Sequence, residues 1–154
     1  MRISLLCVGR LGDIVEARLA RDWAARATAS GRPHAIGPVD IIEVAARKPG
    51  KGAQGEALLA RLDGAWPIAC DERGEALASR DFAALLTGLR DGGERHVAFL
   101  IGGAEGLDEA VLAAARRRLA FGPQTWPHAL VRAMLAEQLY RAVTIIAGSP
   151  YHRD

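Results

Sequence analysis

The chain has 154 residues, of which 50% are hydrophobic, enough for one domain around a single sizeable core. A charged fraction of 25% with a net charge of +2 argues against disorder, and 5% aromatic residues argue against a base-stacking surface. Cys7 and Cys70 do not make a disulfide framework, no apolar run has the length of a membrane span, and the N-terminus lacks a signal-peptide layout. A reduced, soluble, cytoplasmic protein is the expectation.

Residues 2–8 (RISLLCV) read as a buried strand closed by Gly9. Asp13 is placed to cap a helix running to about residue 28, and Ser30, Gly31 and Pro33 then break the chain. Residues 39–45 (VDIIEVA) form a second predicted strand. ARKPGKGAQ reads as a mobile loop, followed by a helical turn or two in EALLARL. WPIACD at 66–71 is a third strand, and Ser79 is the expected cap of a helix through about Leu89. HVAFLI at 96–101 is the clearest strand and runs directly into Gly102 and Gly103. Asp108 starts a helix predicted to reach Leu119, and TWP at 125–127 is the expected last strand. LVRAMLAEQLYRAVTIIA is the longest helix, ending near Gly148 and Pro150. The alternation predicts a single α/β domain with a largely parallel sheet flanked by helices.

Charge is unevenly spread. Between 110 and 153 lie Arg116, Arg117, Arg118, Arg132, Arg141 and Arg153 against one acid, Glu137, and Arg47, Lys48 and Lys51 form a second cluster. Two basic patches on a nearly neutral chain fit a phosphate-bearing partner, and a solvated helix face with a flexible loop is the plainer alternative.

IGGAEGL at 101–107 delivers glycines to the C-terminal end of a buried strand, where open α/β sheets bind ligands. It fits either a ligand contact or a tight turn before a helix capped by Asp108. Neither a dinucleotide fingerprint nor a Walker loop is present. In FGPQTWPHALVR at 121–132, glycine and two prolines make a stiff irregular segment whose backbone groups are left open for a ligand. His128 stands at a helix start with Arg132 one turn on, an arrangement suited to an anionic group. A capping histidine and a salt-bridged arginine are the structural alternatives, and Glu137 with Arg141 reads as an ion pair at i, i+4. The tail SPYHRD places Tyr151, His152 and Arg153 at a terminus where fraying is the simpler expectation. The four histidines are scattered with no metal-ligand spacing, so no metal is expected.

In order, IGGAEGL, TWPHALVR, EQLYRA and the terminal SPYHRD resemble the RlmH family, ribosomal RNA large-subunit methyltransferases of the SPOUT class. The resemblance spans nearly the whole chain. It implies a C-terminal trefoil knot, a homodimer and an S-adenosylmethionine site. It also implies, as substrate, N3 of a pseudouridine in helix 69 of 23S rRNA on the ribosome. By the same resemblance the cofactor contacts fall on Cys70, Gly103, Gly122, Pro123, Gln124, Thr125, Trp126 and Pro127. The RNA-binding and catalytic side falls on His128, Arg132, Tyr151, His152 and Arg153.

The chemistry suits these residue types. N3 of a uracil-like ring must lose a weakly acidic proton before it can attack, so a positioned base and nearby positive charge both help. His128 or His152 is the expected base, with Arg132 and Arg153 binding phosphate or the developing oxyanion. The last helix carries apolar residues on more than one face, which calls for a second copy. The competing readings are a non-enzymatic RNA- or ribosome-binding protein and a different nucleotide-binding α/β enzyme.

Overall fold

The computed structural model describes residues 1–153. Five strands form one sheet: β1 (Arg2–Val8), β2 (Val39–Val44), β3 (Trp66–Ala76), β4 (His96–Ile101) and β5 (Arg117–Ala120). Their order is β2-β1-β4-β3-β5, and every pairing is parallel. Five α-helices cover it: α1 (Val15–Gly31), α2 (Lys51–Leu59), α3 (Ser79–Asp91), α4 (Glu109–Ala114) and α5 (His128–Ile146).

Period-two side-chain alternation divides the core into two halves. Ile3, Leu5 and Cys7 of β1, with Val97, Phe99 and Ile101 of β4, pack with Leu135 and Leu139 of α5. Leu6, Val8, Ala98 and Leu100 face the other way, against Leu58 of α2 and Val111 of α4. Both faces are covered, so these strands read as unbroken apolar runs.

Several expected boundaries move. Asp13 does not cap α1; its carboxylate sits 3.2 Å from Arg21, and the helix begins after Ile14 without a side-chain cap. The basic loop is shorter than expected because α2 already starts at Lys51. Ser79 lies inside the first turn of α3, and its hydroxyl donates to Gln138 Oε1 at 2.9 Å instead of capping. Asp108 does cap α4, accepting from the Val111 amide at 3.0 Å, but the helix ends at Ala114. The stretch expected to continue it is the strand β5, and TWP at 125–127 is irregular loop. Consecutive arginines conceal β5. It is an edge strand, where charged side chains reach water, and Arg117 pairs with Glu75 of β3 at 2.6 Å.

β3 also continues past Asp71. Its pairing with β5 shifts register between Cys70 and Glu75, so residues 71–74 bulge out of the ladder. Gly74 permits the bulge to close, since a Cβ there would lie 2.7 Å from the Arg118 and Leu119 backbone. Among the described residues, no helix is long and apolar enough to cross a membrane.

Candidate functional site

The C-terminal ends of β3, β4 and β5 open into a cleft of about 760 Å³, well within the range of small-molecule sites. Three segments wall it: the bulge 71–73, the glycine turn 102–107 and the loop 119–128. Lys51 at the start of α2 and Glu109 at the start of α4 complete the rim.

The glycine turn is tight. Gly103 and Gly106 form an isolated bridge, with the Gly106 amide donating to the Gly103 carbonyl at 3.0 Å. A Cβ on Gly102 would lie 2.5 Å from the Gly106 carbonyl carbon, so this position admits only glycine. A Cβ on Gly103 would meet only side chains, Gln54 Oε1 at 3.2 Å and Val8 Cγ1 at 3.3 Å. That Gln54 oxygen is buried with no hydrogen-bond partner.

The opposite wall is held by side chains. Thr125 donates to Glu72 at 2.6 Å, and the Trp126 indole donates to the Phe121 carbonyl at 3.0 Å. Among the described residues, 122–126 form no backbone–backbone hydrogen bond, so their amides and carbonyls remain for solvent or a ligand. Asp71, Glu72, Glu105 and Glu109 make the lining rich in carboxylates, against Lys51 and Arg73.

Of the residues singled out from sequence, Cys70, Gly103, Gln124, Thr125, Trp126, Pro127 and His128 line this one cleft. Burial and the neighbouring Cys7 push the Cys70 thiol up, so it stays protonated and is no nucleophile at neutral pH. Partial burial holds the His128 imidazole below its ordinary range, and the charge of Arg132 adds to the effect. His128 is therefore neutral at physiological pH and able to accept a proton. Gly122 lies instead on a second, apolar groove, and Pro123 is exposed and lines neither.

Arg132 departs most from expectation. It is 1% exposed, and its guanidinium donates to the carbonyls of Val8 and Gly9 and meets Glu43 at 3.4 Å. The side chain is spent inside the protein and presents nothing to a phosphate, so the salt-bridge alternative describes it. Nor do Tyr151, His152 and Arg153 line the cleft. Tyr151 packs on Trp23 and Tyr140, and Arg141 lies 3.4 Å from His152.

The sequence reasoning missed the carboxylates of the bulge and of the glycine turn. Their position just past strand ends was the available signal.

Residues 1–152 match the family described as predicted SPOUT methyltransferase. The chain is 65% identical over 154 residues to ribosomal RNA large subunit methyltransferase H of Caulobacter vibrioides, covering 100% of this chain and 99% of the relative. It is 60% identical to the protein of the same name from Phenylobacterium zucineum, with both chains covered completely. Among solved structures, a probable methylase family protein from Haemophilus influenzae superposes with a TM-score of 0.54 at 14% identity, covering 99% of this chain and 70% of that one. A probable methyltransferase from Bordetella pertussis gives 0.51 at 19% identity, covering 92% and 95%. These two likenesses concern the fold alone. The end-to-end identity settles the lineage: this chain belongs to the RlmH family of SPOUT methyltransferases.

Proposed function

We propose that the protein transfers a methyl group from S-adenosylmethionine to 23S rRNA of the large ribosomal subunit, at N3 of a pseudouridine in helix 69. The observation that carries this reading is the convergence of the glycine turn, the bulge and the 121–127 loop on one cleft. The chain that builds it is 65% identical, end to end, to a ribosomal RNA large subunit methyltransferase. The knotted C-terminal segment of the SPOUT class fits the course of the chain. β5 closes the sheet edge beside β3, and α5 returns beneath the sheet to pack with the core on β1 and β4.

The residues present suit the cofactor. Gly103 leaves room for close backbone approach, and the unpartnered Gln54 oxygen beside it is an acceptor in want of a donor. Residues 124–126 of the loop offer open backbone groups to an adenosyl moiety, while the carboxylates of the lining suit a cationic ligand. Bound there, S-adenosylmethionine supplies an electrophilic methyl group with no metal required. Cys70, Gly103, Gln124, Thr125, Trp126 and Pro127 would hold it. His128, neutral and on the lip of the cleft, takes the N3 proton onto its imidazole. The exposed cations Arg47, Lys48 and Lys51 follow β2 at the same edge of the sheet and attract the RNA backbone.

The protein acts as a homodimer. A groove of about 510 Å³, lined by Leu19, Trp23, Leu77, Phe121, Leu130 and Met134 among others, runs along α5 and invites a second copy.

The decisive measurement is mass mapping of 23S rRNA from a deletion strain, where one methyl group is lost and regained with the purified protein plus S-adenosylmethionine. Retention of every methyl group would overturn the proposal. Calorimetry against S-adenosylmethionine, ATP and NAD separates the competing readings: an RNA-binding protein without enzymatic activity binds none of them.

A further inference from the structure

The two walls of the cleft are built differently. On the β3 side the bulge is braced. The Asp71 carboxylate accepts from the Arg73 amide at 2.9 Å, Gly74 lies against the backbone of β5, and Glu75 pairs with Arg117 at 2.6 Å. A bulge re-aims the side chains it carries, and Glu72 stands between those braces. On the other side, residues 122–126 make no backbone–backbone hydrogen bond among the described residues. Two side-chain bonds hold them. The Trp126 indole donates to the Phe121 carbonyl, which closes the loop on its own root. The Thr125 hydroxyl donates to Glu72 Oε2 at 2.6 Å, across 53 positions of sequence. Among the described residues, this second bond is the only one that ties the loop to the opposite wall.

Its length is that of a hydroxyl donating to a carboxylate, the stronger class of hydrogen bond. We propose that Glu72 is a positioning residue for the methyl donor: from the braced bulge its carboxylate holds the Thr125 hydroxyl, and with it residues 124–126, in the shape that receives S-adenosylmethionine. This rests on the function proposed above. Asp71 spends its carboxylate inside the bulge, whereas Glu72 reaches across the cleft. Glu72 acts through Thr125 and not by its charge on the ligand.

The reason to hold the loop is entropic. A segment without backbone pairing must be ordered before it can present its amides and carbonyls to an adenosyl group. Where nothing has ordered it beforehand, that cost is subtracted from affinity. The bond between Thr125 and Glu72 orders the segment in the empty protein. Once the donor is bound, its own contacts keep the loop in place. The tie therefore acts on donor affinity and not on the methyl-transfer step.

Calorimetry on the full-length protein tests this. Glu72→Ala should weaken S-adenosylmethionine binding about tenfold, the scale of one lost hydrogen bond to a charged group. S-adenosylhomocysteine, whose sulfur carries no charge, should weaken by the same factor, because the loop's shape serves both. In steady-state methylation the loss should fall on KM for the donor and not on kcat. Glu72→Gln keeps an oxygen that accepts from Thr125 and should restore most of the affinity. Thr125→Val should match Glu72→Ala, and the double variant should bind no more weakly than either single one. A loss confined to S-adenosylmethionine, or Glu72→Gln as weak as Glu72→Ala, would assign Glu72 to direct charge attraction and overturn the inference. Unaltered affinity in Glu72→Ala, or additive losses in the double variant, would overturn it too. Should Glu72→Ala melt below the wild type, Thr125→Val carries the same comparison from the other wall. A wild type that binds neither ligand ends the proposed function and this inference with it, whereas a wild type that binds both leaves the variants to decide the inference alone.

Discussion

Arg132 donates from Nη2 to the carbonyl oxygen of Val8 at 2.5 Å, bolting the end of β1 to the second turn of α5. The same nitrogen reaches the Gly9 carbonyl at 3.1 Å, and Nη1 reaches Glu43, whose carboxylate also accepts from the Leu11 amide at 2.9 Å. One buried cation thus holds the turn after β1, the end of β2 and the helix that begins with His128. Arg132→Met should cost about 2 kcal/mol, since it strips charged donors from two carbonyls while leaving half-exposed Glu43 to water. Urea denaturation measures that loss. RNA affinity should keep its salt dependence, because Arg132 touches no phosphate. Neutralising Arg47 and Lys48 together should instead reduce the slope of log K against log salt by about 2.

His128 predicts an acid limb. Burial first, and Arg132 second, keep its imidazole deprotonated to a lower pH than an ordinary histidine, whose value is about 6.5. Single-turnover methylation should be flat at neutral pH and fall below about 6.5 as the base is protonated. Stability follows the same sign. The unfolded chain takes up this proton before the folded one does, so the contribution is complete above the unfolded value and fades as pH drops below it. His128→Gln should abolish the limb along with most of the rate. A limb of the same midpoint in that variant would assign the titration to another group.

The two glycines at the end of β4 should respond differently. Gly102→Ala forces a Cβ into the Gly106 and Leu107 backbone, at 2.5 to 2.9 Å, and should unfold the turn and lower the melting temperature. Gly103→Ala meets only the Gln54 and Val8 side chains and should fold. Its added methyl narrows the cofactor's approach, weakening S-adenosylmethionine binding about tenfold, or about 1.4 kcal/mol, by calorimetry. Equal affinity in Gly103→Ala and wild type would remove that backbone from the site.

Met134→Glu tests the apolar groove. A carboxylate among Leu130, Phe121 and Leu77 should not survive burial against a second copy, so light scattering should show a monomer. A wild type that is monomeric at all concentrations would refute the dimer directly.

Strand–helix alternation was legible because it is a local property. Apolar runs such as 2–8 and 96–101 are buried on both faces whatever their neighbours, and the glycines after 101 mark a strand end by composition alone. The seven cleft residues named from the family resemblance lie together, since they sit at or just beyond the C-terminal ends of the neighbouring strands β3, β4 and β5. Edge strand β5 was not legible, because its pairing partner is remote in the chain and its arginines mimic a solvated helix. Nor could sequence assign Arg132, whose carbonyl partners lie more than 120 positions away, or Tyr151, whose ring finds Trp23 only after α1 and α5 have packed. Periodicity and turn chemistry report what a segment is. Which charge is buried, which carbonyl it meets and which ring a tyrosine packs on depend on long-range packing, and only the assembled fold decides those.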